Sequence, residues 1–484
     1  MKVREIFNNY SKIIVWGTGN YYFKFKSNLP DQIDYFIDNN EKKWQTILDG
    51  KRIEPPLMLR DEKAESTLIV VCNNYYDEII IQLNGYGNFD AIDIVNIAMV
   101  EAHEENMSGV LNNEQSNKPK ILICAGIHAL WQRNGARRFI EGQIDTLQKY
   151  GYQTIEIAPL MYLENSENKE DYLIVNENRS YIGLFSIKKF IRAYPYHSVI
   201  IHSLYYNYTI LEPLLANKDF QGKSFYYLHD YFILCRNRFL FYNHKLCLND
   251  KDVLQCDECS EYEESTKIQY FHRELYTKYD IIFISPSLDV KQRIGKVYHG
   301  IPIKVLPHLS YQEEVFEREK HEKLRIAFLG VAMWQKGWDE FCEIVENNYE
   351  KYEFFCMGDC EKSKRMEHIE YHSIELDSKE CLTMPQALQK YEIDIAYVGS
   401  ILPETYSYTY YEAYEAGCFV ITTSRSGNIC MQVEINKNGK VFDSTNEINL
   451  WLSDSEKVKK DVESMKKKIV LVTNNDKFID LLIK

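Results

Sequence analysis

Short runs of β-branched and aromatic residues alternate along the chain with longer, helix-like stretches. This alternation predicts parallel sheets covered by helices, so the predicted fold class is α/β. The strands are predicted in three series: KIIVWG, IDYFID, TLIVVC and AIDIVNI; then KILICAG, QTIEIAP, SVIIHSL, SFYYLHD, IIFISPS and IKVLPH; then RIAFLG, EFFCMGD, IEYHSI, IDIAYVG and CFVITTS.

Two polar segments divide the three series. Residues 101–118 are rich in Asn and Glu and lack apolar periodicity, and residues 311–322 are strongly charged. Both compositions are typical of linkers. We therefore predict three domains, at residues 1–100, 119–310 and 323–484.

Composition excludes several classes of protein. The net charge of -14 argues against a protein that coats nucleic acid. The N-terminus lacks the pattern of a signal peptide, and no apolar run approaches the roughly 18 residues that span a bilayer. We therefore expect a cytoplasmic protein whose cysteines are mostly reduced thiols or metal ligands.

A lysine marks the start of the third series. The sequence RIAFLGVAMWQKGW predicts a strand that ends at Gly330, followed by a loop in which Lys336 and Gly337 open a helix. A lysine at such a turn is well placed to meet a phosphate, with help from the helix dipole. An exposed structural lysine is the alternative.

Two glutamates stand in the stretch PETYSYTYYEAYEAG, just before the last predicted strand. Glu404 and Glu412 are eight residues apart. Carboxylates near a core are costly to desolvate unless something pairs with them. They either lie on the solvent side of an amphipathic helix with its tyrosines against the core, or await a polar ligand.

Taken together, these motifs resemble those of the retaining family 4 glycosyltransferases. The matching elements are the strand–Gly–x5–Lys-Gly pattern, Glu404-x7-Glu412-Ala413, and the later SRSGN and NGKVF, within a resemblance that spans roughly residues 119 to 484. It implies the GT-B fold, in which two Rossmann-like domains face each other across a cleft. Here an additional small Rossmann-like domain precedes them.

The resemblance implies the reaction as well. The enzyme would move a sugar from a nucleotide-sugar to a hydroxyl of a glycan or lipid-linked acceptor, in cell-surface polysaccharide or glycoconjugate synthesis. No cofactor would be needed for the chemistry. Lys336 would neutralise the diphosphate, Glu404 would contact the sugar and Glu412 the ribose. Backbone N–H groups at the helix start would favour a phosphate, in the turn that contains Tyr406, Ser407 and Tyr408.

Other expected site residues lie in the second series. His229, which follows a predicted strand, resembles a family histidine that lies close to the donor sugar. Gly135 would let the backbone approach the donor, and Arg137 would help to bind it, unless it is an ordinary surface cation of the helix. The chain departs from the family at Val331, where an arginine is common, and at Thr405 in the donor loop.

Four cysteines lie within 25 residues and end in a CxxC pair. This spacing predicts a structural zinc site, and a subset of the same glycosyltransferases carries a similar insertion. Free or transiently oxidised thiols are the alternative. The predicted ligands are Cys235, Cys247, Cys256 and Cys259.

The first series contains part of a dinucleotide-binding fingerprint. Gly17 and Gly19 follow a strand, and Asp38 closes the next strand, but Tyr22 occupies the place of the third glycine. An NAD-dependent oxidoreductase or epimerase is therefore an alternative function. A catalytically silent scaffold that binds nucleotide-sugars is another.

Lysines cluster near the C-terminus in the sequence KVKKDVESMKKK. Such a cluster is either a solvated helix face or a basic patch that contacts the anionic inner face of a membrane peripherally. The second reading would suit an acceptor that is carried on a membrane lipid.

Overall fold

The computed structural model divides the chain into two compact units, Met1–Ser224 and Phe225–Lys484. Among the helices that it describes, none is long and apolar enough to cross a membrane. The described residues are 7–73, 76–94, 118–125, 135–159, 171–175, 181–186, 196–202, 208–216, 222–242, 245–247, 262–315, 322–374, 382–464 and 468–483.

The first unit opens with a mainly parallel sheet in the order β3-β4-β2-β1-β5-β6, in which β3 and β4 form an antiparallel pair. Successive side chains of β1 point to opposite faces, so Ile13 and Val15 enter one core and Ile14 and Trp16 the other. The elements are β1 (Lys12–Trp16), α1 (Asn20–Phe25), β2 (Tyr35–Ile37), β3 (Ile47–Leu48), β4 (Lys51–Glu54), β5 (Thr67–Val71), α2 (Tyr76–Asn84) and β6 (Asp90–Asp93).

The rest of the first unit contains five further strands in the order β10-β9-β8-β7-β11. The central strand β7 is parallel to β8 and β11, whereas β9 and β10 run antiparallel and were not predicted from the sequence. The elements are β7 (Lys120–Ala125), α3 (Gly135–Lys149), β8 (Gln153–Pro159), β9 (Asp171–Val175), β10 (Tyr181–Ser186), β11 (Ser198–His202) and α4 (Leu211–Leu215).

The second unit opens with β12, β15 and β16, which neighbour one another in that order. A short antiparallel hairpin, β13–β14, lies between β12 and β15 in the sequence. The elements are β12 (Ser224–Tyr227), β13 (Phe241–Tyr242), β14 (Lys245–Leu246), α5 (Tyr262–Lys278), β15 (Ile281–Ser285), α6 (Leu288–Val297), β16 (Ile303–Val305) and β17 (Leu309–Val315).

A parallel sheet in the order β20-β19-β18-β21-β22-β23 forms the rest of the second unit. Apolar clusters cover both faces of this sheet. The strand order reverses between β18 and β21, a position at which open α/β sheets bind ligands. The elements are β18 (Arg325–Leu329), α7 (Trp338–Asn348), β19 (Glu353–Met357), β20 (Ile369–His372), α8 (Met384–Lys390), β21 (Ile395–Tyr397), α9 (Tyr408–Glu415), β22 (Phe419–Thr423), α10 (Asn428–Asn436), β23 (Gly439–Phe442), α11 (Thr445–Leu452) and α12 (Ser455–Ser464).

These strands confirm the predicted α/β class and its three series of mainly parallel strands. Residues 311–322 were expected to be a linker, but residues 311–315 belong to β17, which continues to Val315. It pairs antiparallel with β24 (Lys468–Asn474), which is followed by α13 (Ile479–Ile483). This strand was missed by the sequence analysis because it carries charged residues. A strand of a two-stranded ribbon need not show the alternation of apolar and polar residues that marks a core strand.

The lysine-rich segment contributes to α12, where Val458 and Val462 are buried. The helix carries acidic as well as basic side chains, because Glu456, Asp461 and Glu463 are interspersed with its lysines. Its surface is therefore of mixed charge. Lys466 and Lys467 lie outside the described residues.

The ends of β18 and β19 approach so closely that Gly358 cannot carry a side chain. Its φ is +144°, and a Cβ atom there would lie 2.1 Å from the carbonyl oxygen of Gly330. Gly300 offers a matched control, because its φ is +84° but nothing lies within 4 Å of its Cβ position.

We predict that Gly358→Ala lowers the melting temperature more than Gly300→Ala. The control suffers only backbone strain, about 1–2 kcal/mol for a left-handed residue, whereas Gly358→Ala adds a clash with the backbone. Thermal unfolding followed by circular dichroism measures both. Equal melting temperatures would show that the two strand ends can separate at little cost.

Candidate active site

Three loops meet at the carboxyl ends of β18, β21 and β22. The carbonyl oxygen of Gln335 accepts hydrogen bonds from the Ser400 hydroxyl at 3.1 Å and the Ile401 amide at 2.9 Å. The carbonyl of Ser400 in turn accepts a hydrogen bond from the hydroxyl of Ser426 at 2.7 Å. The three loops therefore form one hydrogen-bonded group.

Two glycines allow the loops to pack this closely. Gly337 has a φ of +81°, and a Cβ atom there would lie 2.2 Å from the carbonyl oxygen of Gly399. Gly427 forms a β-bridge with Glu404, and a Cβ atom on Gly427 would lie 2.9 Å from the Glu404 backbone. The amide of Asn428 donates to the carbonyl of Glu404 at 2.9 Å. Glu404 is thus held by its backbone.

Lys336 and Glu404, the predicted phosphate and sugar residues, form an ion pair. The Lys336 ammonium donates to Oε1 of Glu404. The lysine side chain is 48% exposed and the glutamate side chain 18% exposed. Because β18 and β21 are neighbouring parallel strands, their loops bring together two residues that are 68 positions apart.

Glu404 and Glu412 do not share a helix. Ser407 caps α9, accepting a hydrogen bond from the Tyr410 amide at 3.3 Å, so Glu404 lies in the loop before the helix. Glu412 is half-buried within α9. The prediction that one amphipathic helix carries both glutamates is therefore wrong. The prediction that the tyrosines of this helix face the core is confirmed, since Tyr410, Tyr411 and Tyr414 are buried.

Tyr406 belongs to the core of the second unit. Its ring stacks on Tyr411 at 4.8 Å, and its hydroxyl accepts a hydrogen bond from the Leu309 amide at 3.1 Å. Burial, then Tyr411, raises the pKa of Tyr406. The side chain therefore stays neutral. Tyr408, the first residue of α9, is half-buried.

Thr405 links the loop after β21 to the end of β12. Its hydroxyl donates to the main-chain carbonyl of His229 at 2.5 Å. The His229 ring lies 5.1 Å from the ring of His308, and His308 lies 4.4 Å from Tyr406. His229 and the loop after β21 are therefore in direct contact.

Both imidazoles are neutral at ordinary pH. Desolvation lowers the pKa of His229 to about 3. Burial, and secondarily the neighbouring His229, lowers the pKa of His308 well below its usual value. Neither ring is suited to act as a general acid, but a neutral ring can hydrogen-bond a sugar hydroxyl.

We predict that this histidine pair makes the protein less stable as the pH falls from 6.5 towards 3. The unfolded chain binds a proton at each histidine below about pH 6.5, whereas the folded chain does not, so each histidine costs about 1.4 kcal/mol per pH unit in that window. Above pH 6.5 the contribution vanishes. His308→Gln should reduce the loss, measured as the melting temperature between pH 7.5 and 5.

The exposed His299 supplies the control. His299→Gln should follow the wild-type pH dependence. If His308→Gln and His299→Gln gave the same dependence as the wild type, the pair of His229 and His308 would not be the origin of the acid sensitivity.

The predicted donor residues of the first unit are placed differently from one another. Gly135 is exposed at the start of α3. Arg137 is buried, and its guanidinium binds Glu156 and, at 3.3 Å, Glu141. Burial disfavours its charge, but the two carboxylates raise its pKa overall. Arg137 is thus no surface cation, and its role in donor binding stays a prediction.

The residues of the partial dinucleotide-binding fingerprint contact other residues of the N-terminal domain. Gly17 has a φ of +108°, and a Cβ atom there would lie 2.5 Å from the carbonyl oxygen of Cys72. Gly19 precedes α1. Oδ2 of Asp38 accepts hydrogen bonds from the Thr18 amide at 3.0 Å and from the Lys43 ammonium at 2.9 Å. Burial opposes ionisation of Asp38, but hydrogen bonds from the Thr18 hydroxyl, the Lys43 ammonium and the Asn40 amide lower its pKa overall.

Two of the four predicted zinc ligands lie in the described part of the chain. Cys235 is buried, and its sulfur accepts a hydrogen bond from the Ser265 hydroxyl at 3.5 Å. Cys247 is half-buried and directly follows the β13–β14 hairpin. Cys256 and Cys259 lie outside the described residues.

A second ion pair near the candidate site was missed by the sequence analysis. Arg425, in the loop after β22, binds Oε1 of Glu340 on α7, and the Tyr397 hydroxyl donates to Oε2 of Glu340 at 3.1 Å. Arg425 belongs to the quoted motif SRSGN, directly after a predicted strand. That position could have identified it, because loops at the carboxyl ends of parallel strands carry ligand-binding residues.

Residues 9–92 match the family described as C2185-like, N-terminal. The match covers the first sheet and leaves the remaining chain unassigned. No curated protein matches the sequence closely enough to count as a relative.

Several solved glycosyltransferase structures are similar to this one. Sucrose-phosphate synthase from Thermosynechococcus elongatus is 11% identical, with 72% of this chain and 95% of that chain covered at a TM-score of 0.45. A glycosyltransferase from Rickettsia africae is 17% identical, with 72% and 92% covered at 0.45. The catalytic domain of starch synthase IV from Arabidopsis thaliana, bound to ADP and acarbose, is 13% identical, with 75% and 97% covered at 0.42. All three TM-scores lie below 0.5, and the strand order by itself defines the fold.

Proposed function

We propose that the protein is a retaining glycosyltransferase of family 4 with the GT-B fold. It would move a sugar from a nucleotide-sugar to a hydroxyl of a glycan or lipid-linked acceptor, in the synthesis of a cell-surface polysaccharide or glycoconjugate. The observation that carries this proposal is the meeting of Lys336 and Glu404 at the carboxyl ends of β18 and β21.

The pair supplies the two kinds of group that a sugar diphosphate needs. A cation stabilises the charge that develops on a leaving diphosphate, and a carboxylate accepts hydrogen bonds from sugar hydroxyls. Without donor, each satisfies the other. When the donor binds, Lys336 turns to the diphosphate and Glu404 to the sugar.

The neighbouring residues have matching roles in this proposal. Glu412 binds the ribose hydroxyls from its place in α9. His229, neutral and held through its carbonyl by Thr405, hydrogen-bonds a sugar hydroxyl. The amides before α9 face the diphosphate, with Ser407 fixing the start of the helix.

The NAD-dependent alternative receives less support. Asp38 would have to bind a ribose, but its carboxylate already accepts hydrogen bonds from Thr18 and Lys43. Tyr22 occupies the place of the third glycine and is buried, with its hydroxyl bonded to Asp49 at 2.6 Å. A silent scaffold would retain nucleotide-sugar binding but would not turn the donor over.

We predict that Lys336→Ala lowers turnover by about 10²–10³, the usual cost of one lost electrostatic stabiliser. The assay is the slow hydrolysis of UDP-, ADP- and GDP-sugars, which also separates the three functions. Lys336 is half exposed, so the variant should keep the wild-type melting temperature within a few degrees.

Lys390→Ala is the matched control, because Lys390 is an exposed lysine of the same unit. It should keep wild-type turnover. Wild-type turnover in Lys336→Ala would remove the lysine from the mechanism. If the wild-type protein bound these donors but hydrolysed none, the scaffold would be favoured.

We further propose that Cys235, Cys247, Cys256 and Cys259 bind one structural zinc ion. Tetrahedral thiolate coordination would fix the segment that contains the β13–β14 hairpin. Cysteine thiolates are suitable ligands for zinc, and Cys235 and Cys247 lie on either side of this hairpin in the sequence.

We predict one zinc per chain in protein purified under reducing conditions without added metal. Elemental analysis measures it, and Cys247→Ser should lower the zinc content, because one of four ligands is lost. Cys430→Ser, at a half-buried cysteine of α10, is the control and should keep the zinc. Reduced wild-type protein without zinc would favour free thiols.

A further inference from the structure

The ion pair between Arg425 and Glu340 lies beside the loop that carries Lys336. A Cβ atom on Gly337, the residue after Lys336, would lie 2.8 Å from the Tyr397 hydroxyl. That hydroxyl donates to Glu340 at 3.1 Å, and the other oxygen of Glu340 binds Arg425. A short series of contacts therefore leads from the Lys336 loop to Arg425.

A second series of contacts reaches Arg425 from the other side. Glu404, which binds Lys336, forms a backbone bridge with Gly427, two residues after Arg425. The intervening Ser426 bonds to the loop of Ser400. The two cations thus lie in adjoining loops, at the ends of β18 and β22 on either side of β21.

The guanidinium of Arg425 is accessible and incompletely bonded. The side chain is 36% exposed, and Nη2 donates to Glu340. Within the described part of the chain, Nε of Arg425 is buried and has no hydrogen-bond partner. A guanidinium has five N–H donors in a planar fork that matches phosphate oxygens, so it retains donors for a ligand.

We propose that Arg425 is a second diphosphate-binding cation of this site, held in the free protein by Glu340. The inference deepens the proposed function and rests on it. A diphosphate carries more negative charge than one lysine neutralises, and each cation in the free protein is paired with a carboxylate. A bound diphosphate competes with Glu340 for Arg425, as it competes with Glu404 for Lys336.

The proposal makes opposite predictions for the two partners of the ion pair. Arg425→Gln should weaken the binding of a nucleoside diphosphate about tenfold or more, because charged hydrogen bonds are lost. Glu340→Gln should strengthen it several-fold, because the competing charge is removed while an acceptor for Tyr397 remains. An ion pair with only a structural role would predict no gain in affinity from Glu340→Gln.

Isothermal titration calorimetry with UDP, ADP and GDP, each compared with its nucleoside, tests this. The variants are compared with the wild type using the nucleoside diphosphate that the wild-type protein binds most tightly. Arg425→Gln should reduce the preference for the diphosphate over the nucleoside, and Arg425→Lys should restore part of it. Melting temperatures show whether each variant is folded. If Arg425→Gln does not fold, the affinities of Glu340→Gln and Arg425→Lys test the proposal.

The outcomes separate this inference from the proposed function. If Lys336→Ala loses affinity for the diphosphate but Arg425→Gln does not, the inference is wrong and the function stands. Equal losses for nucleoside and diphosphate in Arg425→Gln, or unchanged or weaker binding in Glu340→Gln, also overturn it. If the wild-type protein binds none of the three diphosphates, both proposals are wrong.

Discussion

The close approach of three loops at the carboxyl ends of β18, β21 and β22 is the constraint on which the candidate site depends. Gly337 and Gly427 occupy positions where a Cβ atom would meet the backbone of the neighbouring loop. Their missing side chains let Ser400 and Ser426 bond directly to adjacent backbone carbonyls. Lys336 and Glu404 meet because this packing brings their loops together.

The same packing partly buries two carboxylates and also brings a cation to each of them. Carboxylates beside a core are costly to desolvate unless they are paired. Glu404 is paired with Lys336 and Glu340 with Arg425, so the polar edge of the sheet is stable without a ligand. Each pair also places a cation beside the switch point of the sheet, and in the proposed function these cations bind the diphosphate.

Neutral aromatic groups occupy the other side of the site. Tyr406 holds the amide of Leu309, and its ring packs against His308, which lies beside His229. Two imidazoles 5.1 Å apart would repel each other if both were protonated, and desolvation keeps them neutral. These aromatic groups therefore add no charge to the site.

The sequence by itself determined the α/β class and the predicted strands, because runs of buried β-branched residues and their spacing are local properties. It also identified Lys336, Glu404 and Glu412 as candidates, since each stands beside a predicted strand. Sequence reasoning missed β9, β10 and β17, and it left the segment of β24 open between helix and strand. The charged residues of β17 do not mark a buried strand. It also took Arg137 for a donor-binding residue or a surface cation, where the structure gives it a buried pairing with Glu156. Only the tertiary structure decided that Lys336 binds Glu404, that Thr405 holds the carbonyl of His229 and that Arg425 binds Glu340. These contacts join residues 68 to 176 positions apart, and strand order, which no local pattern encodes, determines which strand ends are neighbours.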